Sequence, residues 1–106
     1  MKNIIQQGDV IIEPCEGMPS GGAKVKPGKR GFVLAEGEAT GHFHAIADIE
    51  GVECVEKDGM FYIKIDKEKT VNHEEHNPVT IPPGVYRVRK VREYDHFAEE
   101  ARAVAD

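Results

Sequence analysis

Turn signals recur about every 8–15 residues along most of this chain, supplied largely by 11 glycines and 6 prolines. Such punctuation leaves room for short strands and turns but not for a succession of long helices. Between the breaks lie short apolar or alternating segments. Residues 9–13 contain Val10-Ile11-Ile12, and residues 32–35 read Phe-Val-Leu-Ala. Residues 42–47, 52–56, 60–65, 70–73, 79–81 and 85–91 continue the series. In 60–65, Phe61, Ile63 and Ile65 alternate with Tyr62 and Lys64, which predicts a strand with one apolar face. Asp58-Gly59 between 52–56 and 60–65 suits a type I′ turn and predicts a hairpin. Pro82-Pro83-Gly84 reads as a rigid turn before a strand in which Tyr86 and Val88 face away from Arg87 and Arg89. Residues 14–30 are rich in breakers, including Gly21-Gly22 and Pro27-Gly28, and read as a long loop that is either mobile or covers something.

The period changes after residue 92. Phe97, Ala98, Ala101, Val104 and Ala105 recur at helical spacing behind a capping Asp95, which predicts an amphipathic helix over 95–105. The expected fold is therefore all-β: a small barrel or sandwich over about residues 8–92, closed by a short C-terminal α-helix. A chain of 106 residues supports one such domain.

Composition narrows the partners. Fourteen Lys+Arg against nineteen Asp+Glu give a net charge of −5, which argues against nucleic acid or an anionic membrane as a general partner. No apolar run approaches the ~20 residues of a membrane span. The first residues lack the apolar core and cleavage site of an export signal, so a cytoplasmic location is expected. A small sheet with exposed edges makes a homo-oligomer an expectation too. Cys15 and Cys54 cannot build a disulfide framework and read as small, buried or half-buried thiols.

Histidine is the informative residue type. Four of the five fall in two clusters, Gly41-His42-Phe43-His44 and His73-Glu74-Glu75-His76. Residues i and i+2 of a strand share a face, so His42 and His44 can point into one cavity while Phe43 points the other way. Neutral imidazole is the commonest transition-metal ligand and suits Zn, Fe, Mn, Ni or Cu. In the second cluster a regular strand would pair His73 with Glu75. A bend before Asn77-Pro78 would pair His73 with His76 instead, and spacing alone leaves both open. The helical H-E-x-x-H of metalloproteases is excluded, because the spacing here is one residue short and the context is strand. Glu36, Glu38, Asp48 and Glu50 lie near the first cluster in sequence as candidate carboxylate ligands. The run Arg87-Val88-Arg89-Lys90-Val91-Arg92 either receives an anion or, as the expected reading, pairs across strands with acidic residues in 53–58 or 66–68.

Several of these segments together resemble a group of small bacterial and phage β-proteins. The shared features are Gln7-Gly8-Asp9-Val10, the run LAEGEATGHFH over 34–44, HEEHNP over 73–78, and PPGVYRVRKVREYD over 82–95. The resemblance covers most of the chain and implies that the two histidine clusters belong together; it implies no activity. A partial similarity to cupins rests on Gly37 with His42-Phe43-His44, on Asp48 in the place of their usual Glu, and on the 81–87 run IPPGVYR. Arg87 stands where the second cupin motif has its histidine, so His73 or His76 would have to supply that ligand.

The leading expectation is a divalent transition-metal-binding protein, with Zn, Fe, Mn or Ni held by His42, His44, His73 and His76 and walled by Phe43 and Ile46. Were an open coordination position present, Glu74 or Glu75 would serve as general base in a cupin-like metalloenzyme acting on a small molecule. The competing expectation is a structural or interaction module in which the histidines form a polar network without metal.

Overall fold

The computed structural model describes residues 4–36 and 42–90. Among these residues ten strands run in chain order: β1 Ile5–Gln7, β2 Val10–Pro14, β3 Ala23–Lys24, β4 Phe32–Glu36, β5 Phe43–Ile46, β6 Val52–Lys57, β7 Met60–Ile65, β8 Lys69–Val71, β9 Val79–Ile81 and β10 Gly84–Lys90. The fold is all-β, and no helix occurs among the described residues. The helix expected over 95–105, Gly37 and Glu38 lie outside them.

Six strands form one sheet in the order β1-β2-β10-β7-β6-β3, with every pairing antiparallel. Among the described residues two further hairpin sheets, β4-β5 and β8-β9, accompany it. The sheets do not close on one another, so the barrel alternative gives way to packed open sheets. No helix of the described residues is long and apolar enough to cross a membrane.

Alternation dictates the core. Across the large sheet Ile12, Val88 and Phe61 lie in one register row, and Tyr86, Ile63 and Cys54 in another. These residues face Phe32, Leu34 and Ile46 from the β4-β5 sheet and Val71 and Ile81 from the β8-β9 sheet in a single apolar cluster. A two-stranded sheet is marginal alone in water, so each small sheet depends on this shared burial. Tyr86 donates its hydroxyl to the Pro82 carbonyl at 2.6 Å, which satisfies its polar end at the edge of the core.

The predicted hairpin forms as read. Lys57 pairs with Met60, and Asp58 and Gly59 both adopt positive φ, 53° and 79°, as a type I′ turn requires. The opposite face of the large sheet departs from expectation. Arg87 and Arg89 do not turn to the acidic residues of 53–58 or 66–68. Their register neighbour is β2, and both donate to one oxygen, Oε1 of Glu13: Arg87 at 2.7 and 3.1 Å and Arg89 at 3.0 Å. The loop over 14–30 is also not structureless, since Ala23 and Lys24 pair with Glu56 and Val55 as the edge strand β3.

Both cysteines are free. Cys54 is 3% exposed, and burial, with the nearby Glu56 charge, pushes its thiol up to about 11. Cys15 is half-buried on the loop side. Ellman's reagent at pH 8 should therefore titrate one thiol in the native protein and two after unfolding. Ile63→Ala should cost about 2–5 kcal/mol in urea denaturation, because the site is fully enclosed.

Candidate metal centre

One isolated bridge brings the histidine clusters together. Ala45 and Asn72 exchange both backbone hydrogen bonds, 3.0 and 2.8 Å, in antiparallel register. Continuing that register sets residue 44 against 73, 43 against 74 and 42 against 75, and the side chains follow it. The His44 and His73 ring centroids lie 4.3 Å apart. Glu74 Oε1 accepts the Phe43 amide N–H at 2.8 Å. His42 Nδ1 lies 3.0 Å from Glu75 Oε1.

The chain bends after residue 72, so the second cluster does not continue as a strand. The bend resolves the open pairing in favour of His73 with His76, whose rings lie 4.6 Å apart. It is held by the His73 ring itself, which accepts the amide N–H groups of Glu75 and His76 at Nδ1, at 3.1 and 3.3 Å. Neutral His73 consequently carries its proton on Nε2. The ring of His42 meets His73 edge-on at 5.6 Å, and that of His76 lies nearly parallel to His44 at 6.1 Å. All four rings thus form one contiguous cluster. Their donor atoms do not converge: among the described residues no group of three or more His, Cys, Asp or Glu side chains is disposed around a common point as a metal site.

His44 is the innermost member, at 0% exposure. Its surroundings come from the β1-β2 turn, a segment whose part in the site the spacing argument did not reach. Gln7 is buried as well, and its Nε2 donates to the carbonyls of Val71 and Asn77 at 3.0 and 2.9 Å. That fixes the amide orientation and presents Oε1 to His44 Nδ1 at 2.9 Å. An acceptor there requires the proton on Nδ1, so neutral His44 directs the lone pair of Nε2 inward. Asp9 Oδ1 lies 3.3 Å from Nε2, yet the pair lacks hydrogen-bond geometry and Nε2 is buried without a hydrogen-bond partner. Burial, reinforced by His73 and only partly offset by Asp9, lowers the His44 pKa to about 4. Burial and the neighbouring His76 likewise lower that of His73.

Between Gln7 and Asp9, Gly8 has φ +58°, and the ring of His76 lies where a side chain on it would go: a Cβ would come 2.4 Å from His76 Nε2. The turn thus touches the cluster through three consecutive residues.

The remaining candidates are placed elsewhere. Asp48 binds Lys69 Nζ at 3.0 Å, and Glu36 and Glu50 are exposed. Phe43 points away from the cluster, as its alternation predicts, and lies under the Arg30 guanidinium at 4.5 Å. Arg30 also pairs with Glu74 at 2.8 Å, so the end of the 14–30 segment does cover something. Ile46 belongs to the core rather than to the wall of the cluster. Beside the cluster, a cleft of about 260 Å³ is lined by Arg30, Phe43, Asn72 and His73 among others.

A family model described as "Domain of unknown function (DUF8820)" matches residues 6–91, a span that takes in the Gln7-Gly8-Asp9 turn and all four histidines. The chain belongs to the DUF8820 family. Neither the curated proteins nor the solved structures yield a match.

Gln7→Leu should destabilise the fold by about 2–4 kcal/mol, since it strands the buried Val71 carbonyl and His44 Nδ1 and removes a part-buried bond to the Asn77 carbonyl. Urea unfolding would measure the loss, and the His44 ring nitrogen shifts in long-range 1H–15N spectra should show its Nδ1–H tautomer relaxing.

Proposed function

We propose that this chain binds a divalent transition-metal ion at the cluster of His42, His44, His73 and His76, with Zn, Fe, Mn or Ni the fitting class. The observation that carries the reading is the inward lone pair of His44 Nε2. It is fully buried, lacks a hydrogen-bond partner and has its tautomer set from behind by Gln7. A buried imidazole acceptor left unpaired costs free energy, and coordination of a cation relieves that cost. A hydrogen-bond acceptor behind the distal ring nitrogen is the usual way a metal-binding histidine is oriented. Histidine and carboxylate donors, with both cysteines outside the cluster, favour borderline ions over thiophilic ones.

The second reading, a metal-free polar network, draws support from the His42–Glu75 contact and from the two amide bonds received by His73. Under that reading these bonds are the purpose of the cluster, and His44 Nε2 is its one defect.

Protein purified without a histidine tag should retain or take up one ion per chain by elemental analysis. Saturating Zn2+ at about 1,000 times Kd should contribute about 4 kcal/mol, which is about 15 °C or more in Tm for a domain of this size. EDTA should reverse the gain. His44→Ala should abolish uptake and His76→Ala should weaken it at least tenfold. A Tm indifferent to both Zn2+ and EDTA would leave the polar network as the better account.

A further inference from the structure

We propose that Asp9 is a ligand of the same ion, so that the Gln7-Gly8-Asp9 turn makes the centre a mixed nitrogen–oxygen site rather than an all-imidazole one. The inference rests on the metal reading above and specifies its donor set.

Three observations carry it. First, Asp9 Oδ1 and His44 Nε2 stand 3.3 Å apart without a hydrogen bond between them, and His44 Nε2 is wholly enclosed. With the His44 proton committed to Gln7 on the other side of the ring, both facing atoms are acceptors. Two acceptors held face to face repel unless a cation or a hydrogen-bond donor lies between or beside them, and a divalent cation satisfies both lone pairs at once. Second, their spacing is that of two ligands on one ion. Metal–nitrogen and metal–oxygen bonds of 2.0–2.2 Å, opened by 90–109°, give ligand–ligand edges of roughly 2.9–3.5 Å. Third, the turn that delivers Asp9 also positions His76. Its ring fills the place a Gly8 side chain would take, against a residue whose positive φ already favours glycine. One hairpin turn therefore orients His44, supplies the carboxylate and accommodates a further imidazole.

The donor chemistry follows. One carboxylate against a divalent ion leaves the centre with a single positive charge, and oxygen with imidazole suits Zn2+, Co2+, Fe2+ or Mn2+ and disfavours Cu+. Of the other carboxylates at the cluster, Glu75 is engaged with His42 and Glu74 with Arg30 and the Phe43 amide, and neither is part of the set.

The test uses the full chain with Co2+ and Zn2+ as probes, comparing Asp9→Asn with Glu50→Gln, an exposed carboxylate away from the cluster, and His44→Ala. Asp9→Asn should lower affinity by about 10–100-fold and shift the Co2+ d–d bands. Glu50→Gln should change affinity by less than about threefold. In metal-free protein Asp9→Asn should keep or raise Tm, because an amide N–H replaces one of the two opposed acceptors; loss of binding through misfolding would instead lower it. Should Asp9→Asn bind as tightly as the parent with unchanged bands while His44→Ala binds nothing, the role of Asp9 is overturned and the metal reading stands. Should the parent itself bind neither ion, the metal reading falls and this inference with it.

Discussion

One buried amide ties the three sheets together beside the histidine cluster. Gln7 belongs to the large sheet, yet its side chain bonds the Val71 carbonyl of the β8-β9 sheet, the Asn77 carbonyl beyond it, and His44 of the β4-β5 sheet. Three sheets with an otherwise apolar common core meet in that one group. Apolar packing is tolerant of small displacements, whereas three hydrogen bonds to one planar amide are directional and are expensive to break where water cannot replace them. The amide therefore ties the three sheets to one another where they meet, and it orients the innermost histidine, His44, directly.

The Ala45–Asn72 bridge then completes the arrangement at little structural cost. A single pair of backbone bonds between two otherwise separate hairpin sheets sets a register, and the register alone opposes His44 to His73, Phe43 to Glu74 and His42 to Glu75. The bend after residue 72 removes His76 from that ladder and hands it to the Gly8 turn. The bridge opposes His44 to His73, and the turn meets His44 and His76.

What could be read from the sequence follows from the range of the interactions involved. The hairpin at Asp58-Gly59 and the apolar face of Met60–Ile65 depend on neighbours a few residues apart, and both were legible. The shared location of the histidines was legible in part, because i, i+2 spacing fixes a face. The partner of Arg87 and Arg89 was not: Glu13 is 74 residues from Arg87, and acidic residues nearer in sequence are numerous. Strand β1 was hidden by its composition, since Ile5–Gln7 carries two glutamines whose burial becomes intelligible only once their partners are known. Asp9 was hidden for the same reason. A glycine–aspartate pair before an apolar run announces a turn whatever else the aspartate touches. Asp48, close to the first cluster in sequence, is drawn off by Lys69, which is itself buried and needs a counter-charge.

The two sides of the cluster are unequally prepared for an ion. On the His44 side the tautomer is set, the Nε2 lone pair is buried and the Asp9 carboxylate oxygen stands 3.3 Å from it, so coordination would break no hydrogen bond of that nitrogen. On the His73 side Nδ1 accepts two amide protons, which places the ring proton on Nε2; that ring can offer a lone pair only by giving up bonds worth about 1 kcal/mol each. His42 is similarly engaged with Glu75. An ion would accordingly be gathered first by His44 and the Gly8 turn, with His73 and His42 joining only so far as the new bonds outweigh those they release. The hydrogen bonds that shape the bend thus also grade the ligands, and the innermost histidine is one whose outer bond, to Gln7, leaves Nε2 without a hydrogen bond to give up.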